Sequence, residues 1–445
     1  MRYETIKTAV LTILVLLSIL LTWNLWTYQS NYATMEKNNT VAQVTMSEKQ
    51  EVKKIVRPDM VLYHKQGKNY GTNRTDELDN LIKELSRWSF SDVKIVADKP
   101  NNLNEMMHKS GNVEIIFPAA VPIELYRNVL NFTDKKIPSF DFDRIIINAE
   151  SLDKGTKGNG IVYFVSTSNQ LLYSSHISSS FINDFNKSFY KDASRYPSYF
   201  SFNLTERKAI FLPEDPTEMM VYKYLPVALN SEQYKDALFT DPSFVQQTMV
   251  SNGEEYTNGS SKMNIDYSTN MLLYVNPTAS GYFVESSKGL LKRSIDFVNE
   301  HGGWTDSYRY VEKDDPSHHV AFRLYSEEGF PVFNLDGLSE INETWGKNDI
   351  NKYVRSNISL ELPLKTEMQK VTRPSGHTVL KYIQSLPGFK PELLENVVLG
   401  YKLERDPKEA KVILLEPVWF YQYNKQWEQV PLDETGGLDN GLEQD

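Results

Sequence analysis

The 445-residue chain contains no cysteine. That excludes disulfides, thiolate metal sites and cysteine nucleophiles. A second absence is local: from Thr8 to Met35 there is no Lys, Arg, Asp or Glu. A third concerns catalysis. The sequence has no H-E-x-x-H, no G-x-S-x-G, no Walker loop and no K-T-G, so the common signatures of zinc peptidases, serine hydrolases, nucleotide-binding enzymes and penicillin-binding enzymes are missing. Basic residues are also in deficit. With 48 Lys and Arg against 58 Asp and Glu, the net charge of −10 argues against nucleic acid and against broad adhesion to anionic lipid.

The charge-free stretch is itself informative. Thr8–Trp26 (TAVLTILVLLSILLTWNLW) contains eleven Leu, Ile or Val residues, and at about 1.5 Å per residue it matches a hydrocarbon core of about 30 Å. Arg2 and Lys7 precede it, and Trp23, Trp26 and Tyr28 follow as an interfacial aromatic belt. This is a positive-inside arrangement, with the N-terminus in the cytoplasm and the bulk of the chain outside. A cleaved signal peptide would need small residues after the apolar core. The sequence there is Leu-Thr-Trp-Asn-Leu-Trp-Thr-Tyr, too bulky for cleavage, so a single-pass, uncleaved signal anchor in the cell membrane is expected.

Beyond the anchor, 40% hydrophobic and 12% aromatic residues describe globular material that must be stable through packing alone. Cysteine avoidance in an exported chain fits a Gram-positive source. The expected organisation is a cytoplasmic N-terminus at 1–7, a transmembrane helix at 8–28, a polar linker at 29–54, an N-terminal exported domain at 55–216, a middle domain at 217–345, a C-terminal domain at 346–431, and a disordered tail at 432–445 with five acids and no base. The fold class is α+β, with mixed, mainly antiparallel sheets and occasional helices. Strands are expected at Ile55–His64, Val113–Phe117, Arg144–Asn148, Met219–Leu225, Ser261–Ile265, Met271–Val275, Ser307–Val311, His319–Tyr325, Glu395–Leu403 and Lys411–Tyr423. Gly160–Val165 and Gln170–Ser174 read as a hairpin. Helices are expected at Asp76–Trp88, Ser231–Phe239, Gly289–Glu300 and His377–Ser385, with Gly302-Gly303 as a stop. Ile295–Tyr325 and His377–Tyr423 share a helix–strand–strand order, consistent with duplication or with coincidence.

Weaker chemical signals have simpler explanations. Ser91–Lys94 and Ser151–Lys154 match S-x-x-K, but Ser91 follows a helix where the mechanism needs a helix N-terminus. Asp141 and Asp143 would share one strand face as a carboxylate pair might. The alternation with Phe140 and Phe142 instead points the acids to water and the rings inward. His318 and His319 lie near Glu312, Asp314 and Asp315, yet adjacent strand residues point to opposite faces. Gly155–Gly160 precedes a hairpin, not a helix N-terminus, and reads as a turn. No catalytic, metal or cofactor-binding residue is expected, and the chain is not expected to be an enzyme.

The anchor carries one further pattern. Thr8, Thr12, Val15, Ile19, Thr22 and Trp26 are spaced 4, 3, 4, 3, 4, a heptad seam, while Val10, Leu14, Leu17 and Leu21 form an opposite face suited to lipid. Hydroxyl-bearing residues favour close helix contact in bilayers, so the seam is a candidate partner face. Threonines are also tolerated without a partner in such helices.

The opening YETIKTAVLTILVLLSILLTWNLWTY resembles the start of the YycH (WalH) family. Further resemblance lies in Ala237–Val245 (ALFTDPSFV), Asp296–Arg309 (DFVNEHGGWTDSYR), Pro374–Ile383 (PSGHTVLKYI) and Lys411–Phe420 (KVILLEPVWF). The resemblance spans essentially the whole chain, although no single motif is diagnostic. It implies a membrane-anchored, non-enzymatic accessory regulator of the WalK/WalR (YycG/YycF) two-component system and of cell-wall homeostasis. The implied partners are the sensor histidine kinase WalK (YycG) and the sister protein YycI (WalI). Val397, Tyr401, Trp419 and Tyr421, on the C-terminal strands, are the expected partner-binding positions outside the membrane. The alternative is an exported protein that binds or modifies wall polymer and uses a passive anchor.

Overall fold

The computed structural model describes residues 2–27, 48–98, 102–150, 160–205, 208–279, 289–361, 363–364 and 367–431. The chain forms two compact units, Met1–Ala42 and Gln43–Asp445. In the first, Arg2–Thr27 is one unbroken α-helix of 26 residues, about 39 Å long at 1.5 Å per residue. It is apolar all round, with no dominant face. Among the described side chains, no helix is long and apolar enough to cross a membrane. The side chains of Thr8, Ile19 and Trp26 lie outside that set, as do the expected acidic tail, most of the linker, and Ser151–Lys154.

The second unit is α+β with mainly antiparallel sheets. A ten-stranded sheet runs in the order Lys208–Pro213, Ser198–Thr205, Lys68–Thr72, Met60–Lys65, Asn112–Pro122, Asp141–Asn148, Gly160–Ser166, Leu171–Ile177, Ser89–Asp98, Asn131–Phe132. An eight-stranded sheet follows the order Gln246–Val250, Gly253–Thr257, Lys262–Asp266, Met271–Val275, Ile350–Ser356, Glu340–Trp345, His319–Leu324, Tyr308–Asp314. A six-stranded sheet joins Val332–Phe333, Leu394–Arg405, Ile413–Tyr423, Thr217–Tyr224 and Gln369–Arg373, with Gln426–Gln429 pairing on Ile413–Tyr423. The segments 217–345 and 346–431 therefore share sheets: Thr217–Tyr224 pairs with Gln369–Arg373 and Ile413–Tyr423, and Glu340–Trp345 with Ile350–Ser356.

Local sequence explains most elements. Helix Thr75–Leu85 buries Leu78, Leu81, Ile82 and Leu85, the i, i+3, i+4, i+7 stripe of an amphipathic helix. Three consecutive isoleucines, Ile145–Ile147, are all buried because the sheet is covered on both faces there; Ile146 packs with Leu103, Met107, Val165 and Leu172 on the side opposite the main core. Helix Leu290–Glu300 stops at Gly302 and Gly303, with φ of 98° and 71°. The Gly303 N–H closes the helix end by donating to Val298 O at 2.8 Å. The strand expected over Ile55–His64 is shorter, Met60–Lys65; Ile55 ends a short helix and Pro58 separates the two. Lys94 lies inside its strand. Ser89–Asp98 is already extended, with a register shift after Ser91 and a φ of 52° at Asp92.

A single hydrophobic cluster runs from Ile55 to Val430, and polar contacts tie residues 309–325 to residues 59–120. The Tyr325 hydroxyl donates to Asp59 Oδ1 at 2.8 Å, Tyr310 to Ala120 O at 2.8 Å, and Arg309 to Thr75 Oγ1 at 3.0 Å. Near the start of the unit, Gln50 N donates to Asn299 Oδ1 at 2.8 Å and Gln50 O accepts from Asn299 Nδ2 at 3.1 Å, tying the incoming chain to helix Leu290–Glu300.

Candidate functional site

Three of the six seam residues have described side chains. Thr12, Val15 and Thr22 are exposed on helix Arg2–Thr27. The Thr22 hydroxyl donates to Ser18 O one turn back, at 2.8 Å. This local bond satisfies its donor without another helix, so a partner would gain close approach there more than a new hydrogen bond. Leu11, Leu14, Leu16, Leu17, Leu20 and Leu21 are each 52–65% exposed.

The four strand positions lie on one antiparallel pair, with Val397 opposite Tyr421 and Leu399 opposite Trp419. All four side chains point inward: Val397 is 3% exposed, Tyr401 0%, Trp419 1% and Tyr421 6%. Trp419 Nε1 donates to Pro374 O at 3.0 Å, and the Tyr401 hydroxyl donates to Glu328 Oε2 at 3.1 Å. In this arrangement they are core residues. Aromatic and branched side chains at alternate strand positions mark a buried face as readily as an interface, which is why sequence alone did not separate the two.

The weaker chemical candidates are tied into structural bonds. Phe140 and Phe142 are buried, Asp141 pairs with Lys313 at 2.9 Å, and Asp143 accepts from Thr167 N at 2.7 Å and Arg144 Nη1 at 2.9 Å. Ser91 Oγ donates to His176 O at 3.3 Å, and Lys94 pairs with Asp92 at 2.6 Å. His319 bonds Asn342 at 3.1 Å while His318 turns the chain with a φ of 51°. Among the described residues, no three His, Asp or Glu side chains form a metal-binding group.

Several buried charges gave no sequence signal, because their partners come from distant strands. Glu114 lies 3.3 Å from His64 Nε2 and 3.4 Å from His108 Nε2, and accepts from Arg144 Nε at 3.0 Å. Burial opposes its ionisation, but those hydrogen bonds and the Arg144 charge hold its carboxyl well below the usual range. Arg355, fully buried, donates to Gly303 O at 2.9 Å, the Tyr353 hydroxyl at 3.1 Å and Thr305 Oγ1 at 3.0 Å. Glu343, also fully buried, is pushed by burial up to about 8.

A cavity of about 670 Å³ opens between the ten-stranded and six-stranded sheets. Phe211, Leu212 and Pro213 line one side, Val397, Val398 and Leu399 another, and the Glu328–Pro331 turn a third. Two expected positions, Val397 and Trp419, thus meet at its wall. The turn depends on Gly329, at a φ of 98°, where a Cβ would lie 2.2 Å from Asn73 O. At the rim, Arg195 contacts both Glu77 oxygens at 3.3 Å, and Arg74 pairs with Asp76 at 2.8 Å. Glu328 accepts from both Tyr222 and Tyr401 hydroxyls.

Comparison with known proteins agrees with this architecture. Residues 4–194 match the model of the YycH protein N-terminal domain, and residues 207–437 that of the YycH protein C-terminal domain. The chain is 24% identical, over 463 aligned positions covering 100% of both sequences, to the two-component system WalR/WalK regulatory protein YycH of Bacillus subtilis (strain 168). The crystal structure of YycH from Bacillus subtilis superposes with a TM-score of 0.73 at 22% identity, covering 87% of this chain and 99% of that one. The fold is therefore shared.

Proposed function

We infer a role from one premise: this chain belongs to the YycH family. We propose that it is a non-enzymatic regulator of a WalR/WalK-type two-component system, anchored in the membrane by helix Arg2–Thr27 with its N-terminus in the cytoplasm. Its partners are the sensor kinase WalK, reached through that helix, and the sister protein YycI, reached through the exported domains. The relative that supports this reading is related over its full length and is named a regulatory protein of that system.

The observation that carries the membrane part is the helix itself. It displays leucines around its circumference, each more than half exposed, and the sequence has no charge from Thr8 to Met35. Exposing that much apolar surface to water is unfavourable at about 25 cal/mol per Å², whereas lipid accepts it. Arg2 and Lys7 then fix the orientation. Regulation would follow if the helix contacts the kinase's two signalling states with different free energies.

The test replaces residues 8–26 with an unrelated anchor helix and reads kinase-dependent transcription in cells. Collapse of regulation, with the exported part folded and abundant, is the expected result. Survival of regulation would make the helix a passive tether and remove the transmembrane mechanism. Replacing Thr12 and Thr22 by leucine is expected to weaken co-purification with the kinase only modestly, about threefold at about 0.6 kcal/mol per bond lost, because Thr22 already bonds its own helix.

A further inference from the structure

The 670 Å³ cavity is bounded by two sheet edges, and both have an unpaired side among the described residues. Strand Leu394–Arg405 pairs with Ile413–Tyr423 along one side over its length. On its other side the paired neighbour is Val332–Phe333, which meets only Tyr401 and Lys402. Among the described residues, no strand pairs with that side from Leu394 to Gly400.

The direction of the free groups follows from strand alternation. The Tyr401 N–H donates to Pro331 O at 2.9 Å, away from Ile413–Tyr423. Backbone groups two and four residues earlier in an antiparallel ladder project the same way. Leu399 and Val397 therefore aim theirs at the open side. The Val397 N–H is taken by Asn396 Oδ1 at 2.9 Å, which leaves the Leu399 N–H and C=O and the Val397 C=O facing outward. Val397, Val398 and Leu399 all line the cavity. Consecutive residues alternate between faces, so the cavity must run along the strand's edge.

The opposite wall narrows the choice of occupant. Lys208–Pro213 is the terminal strand of the ten-stranded sheet, and Glu214 N donates inward to Ser198 O at 2.9 Å. By the same alternation Phe211 turns its N–H and C=O outward, toward the cavity it lines. Pro213 has no N–H, so this edge is the poorer template. Aromatic and proline rings complete the walls, including Trp419, Phe330, Pro197 and Pro331. The rim arginines Arg74 and Arg195 are each paired with a neighbouring acid, leaving no surplus positive charge for a phosphate. An acyl chain would suit the rings but would leave the Leu399 N–H and C=O without partners in a dry slot. A backbone-bearing ligand satisfies both requirements.

We propose that this cavity binds a short, neutral peptide in extended form, which adds as a strand to Leu394–Gly400 by hydrogen bonding at Leu399 and seats alternate apolar side chains against Phe330 and Pro197. The site is independent of the membrane mechanism proposed above. It would give the exported part a ligand of its own.

The experiment uses the full chain in lipid nanodiscs and an immobilised array of capped pentapeptides varied over Ala, Val, Leu, Phe and Ser. The best-retained peptide is then resynthesised with methyl groups on its two central amide nitrogens. Saturable binding is expected, weakened at least tenfold by N-methylation, with slowed amide exchange at Leu399 on binding. Thr217→Trp, which places bulk at the cavity wall, should abolish retention while the urea midpoint stays within a few tenths of a molar unit. Retention of no peptide above the Thr217→Trp background would overturn the proposal. So would equal binding of the N-methylated peptide, which would mean an apolar slot with no strand pairing.

Discussion

Trp419→Ala should lower folding stability by about 3–5 kcal/mol, the range for removing a fully buried large aromatic. Trp419 is 1% exposed, lies opposite Leu399 in the long strand pair, and donates Nε1 to Pro374 O at 3.0 Å. That bond ties strand Ile413–Tyr423 to the turn that starts helix Gly376–Ser385. Truncation removes the ring from the core and leaves Pro374 O without its donor, so both terms act in the same direction. Urea unfolding of the full chain in nanodiscs, followed by tryptophan fluorescence, measures the change as a shift in midpoint with an unchanged slope. Phe244→Ser serves as the control. Phe244 is 75% exposed and should shift stability by less than about 0.5 kcal/mol. If Trp419→Ala were as mild as the control, Trp419 would be free to act as a contact residue, as its place in the sequence first suggested.

How much could be read from the sequence depends on how local the determining physics is. Helix Thr75–Leu85 was legible because its apolar spacing alone selects a face. The hairpin Gly160–Ser166 with Leu171–Ile177 was legible because its turn residues sit between two apolar runs. The pairing of Thr217–Tyr224 with Gln369–Arg373 and Ile413–Tyr423 was not, since register between segments so far apart leaves no local trace. Strands Ser198–Thr205 and Gln246–Val250 were missed for different reasons. Gln246–Val250 is exposed at every position and shows no apolar alternation, whereas Ser198–Thr205 does alternate, with Phe200, Phe202 and Leu204 set against Ser201, Asn203 and Thr205, and was legible without being read. The candidate sites divide in the same way. The alternation that buries Phe140 and Phe142 beside Asp141 and Asp143 was readable. The Glu114 cluster draws on His64, His108 and Arg144, and the cavity on both sheets. Each exists only after the chain has closed on itself.

Between pH 5 and pH 8 the stability of the chain should fall as pH rises, and Glu343→Gln should remove much of that slope. Glu343 occupies an inward position of strand Glu340–Trp345, between Ile341 and Trp345, and is fully buried. Trp345 Nε1 donates to its Oε2 at 3.0 Å, while its Oε1 has no hydrogen-bond partner among the described residues. Helix Leu290–Glu300 presents Arg293 and Ser294 to this corner, and the neighbouring strand presents Arg355. Neither arginine forms an ion pair with Glu343 among the described residues, and the Ser294 and Trp345 side chains favour its ionised form only in part. Burial therefore prevails and the carboxyl is pushed up to about 8, from 4.5 in the unfolded chain. In the window between those values the folded state holds a proton that the unfolded state has released, so each pH unit costs about 1.4 kcal/mol of stability. Across pH 5–8 that amounts to roughly 4 kcal/mol, with no further loss from this group above the window. Glu114 acts in the opposite sense and elsewhere. Its lowered carboxyl contributes stability that is complete above the unfolded value and is lost only as pH falls into the acid range. Asp59 and Asp306 are also raised by burial and act in the same sense as Glu343 above their unfolded value. Urea midpoints at half-unit pH steps for both proteins separate the contributions. Parallel curves would mean that Glu343 is ionised in the folded chain, with Arg293 or Arg355 closing on it as a counter-ion. The buried corner between helix Leu290–Glu300 and the eight-stranded sheet would then be held by charge rather than by a retained proton.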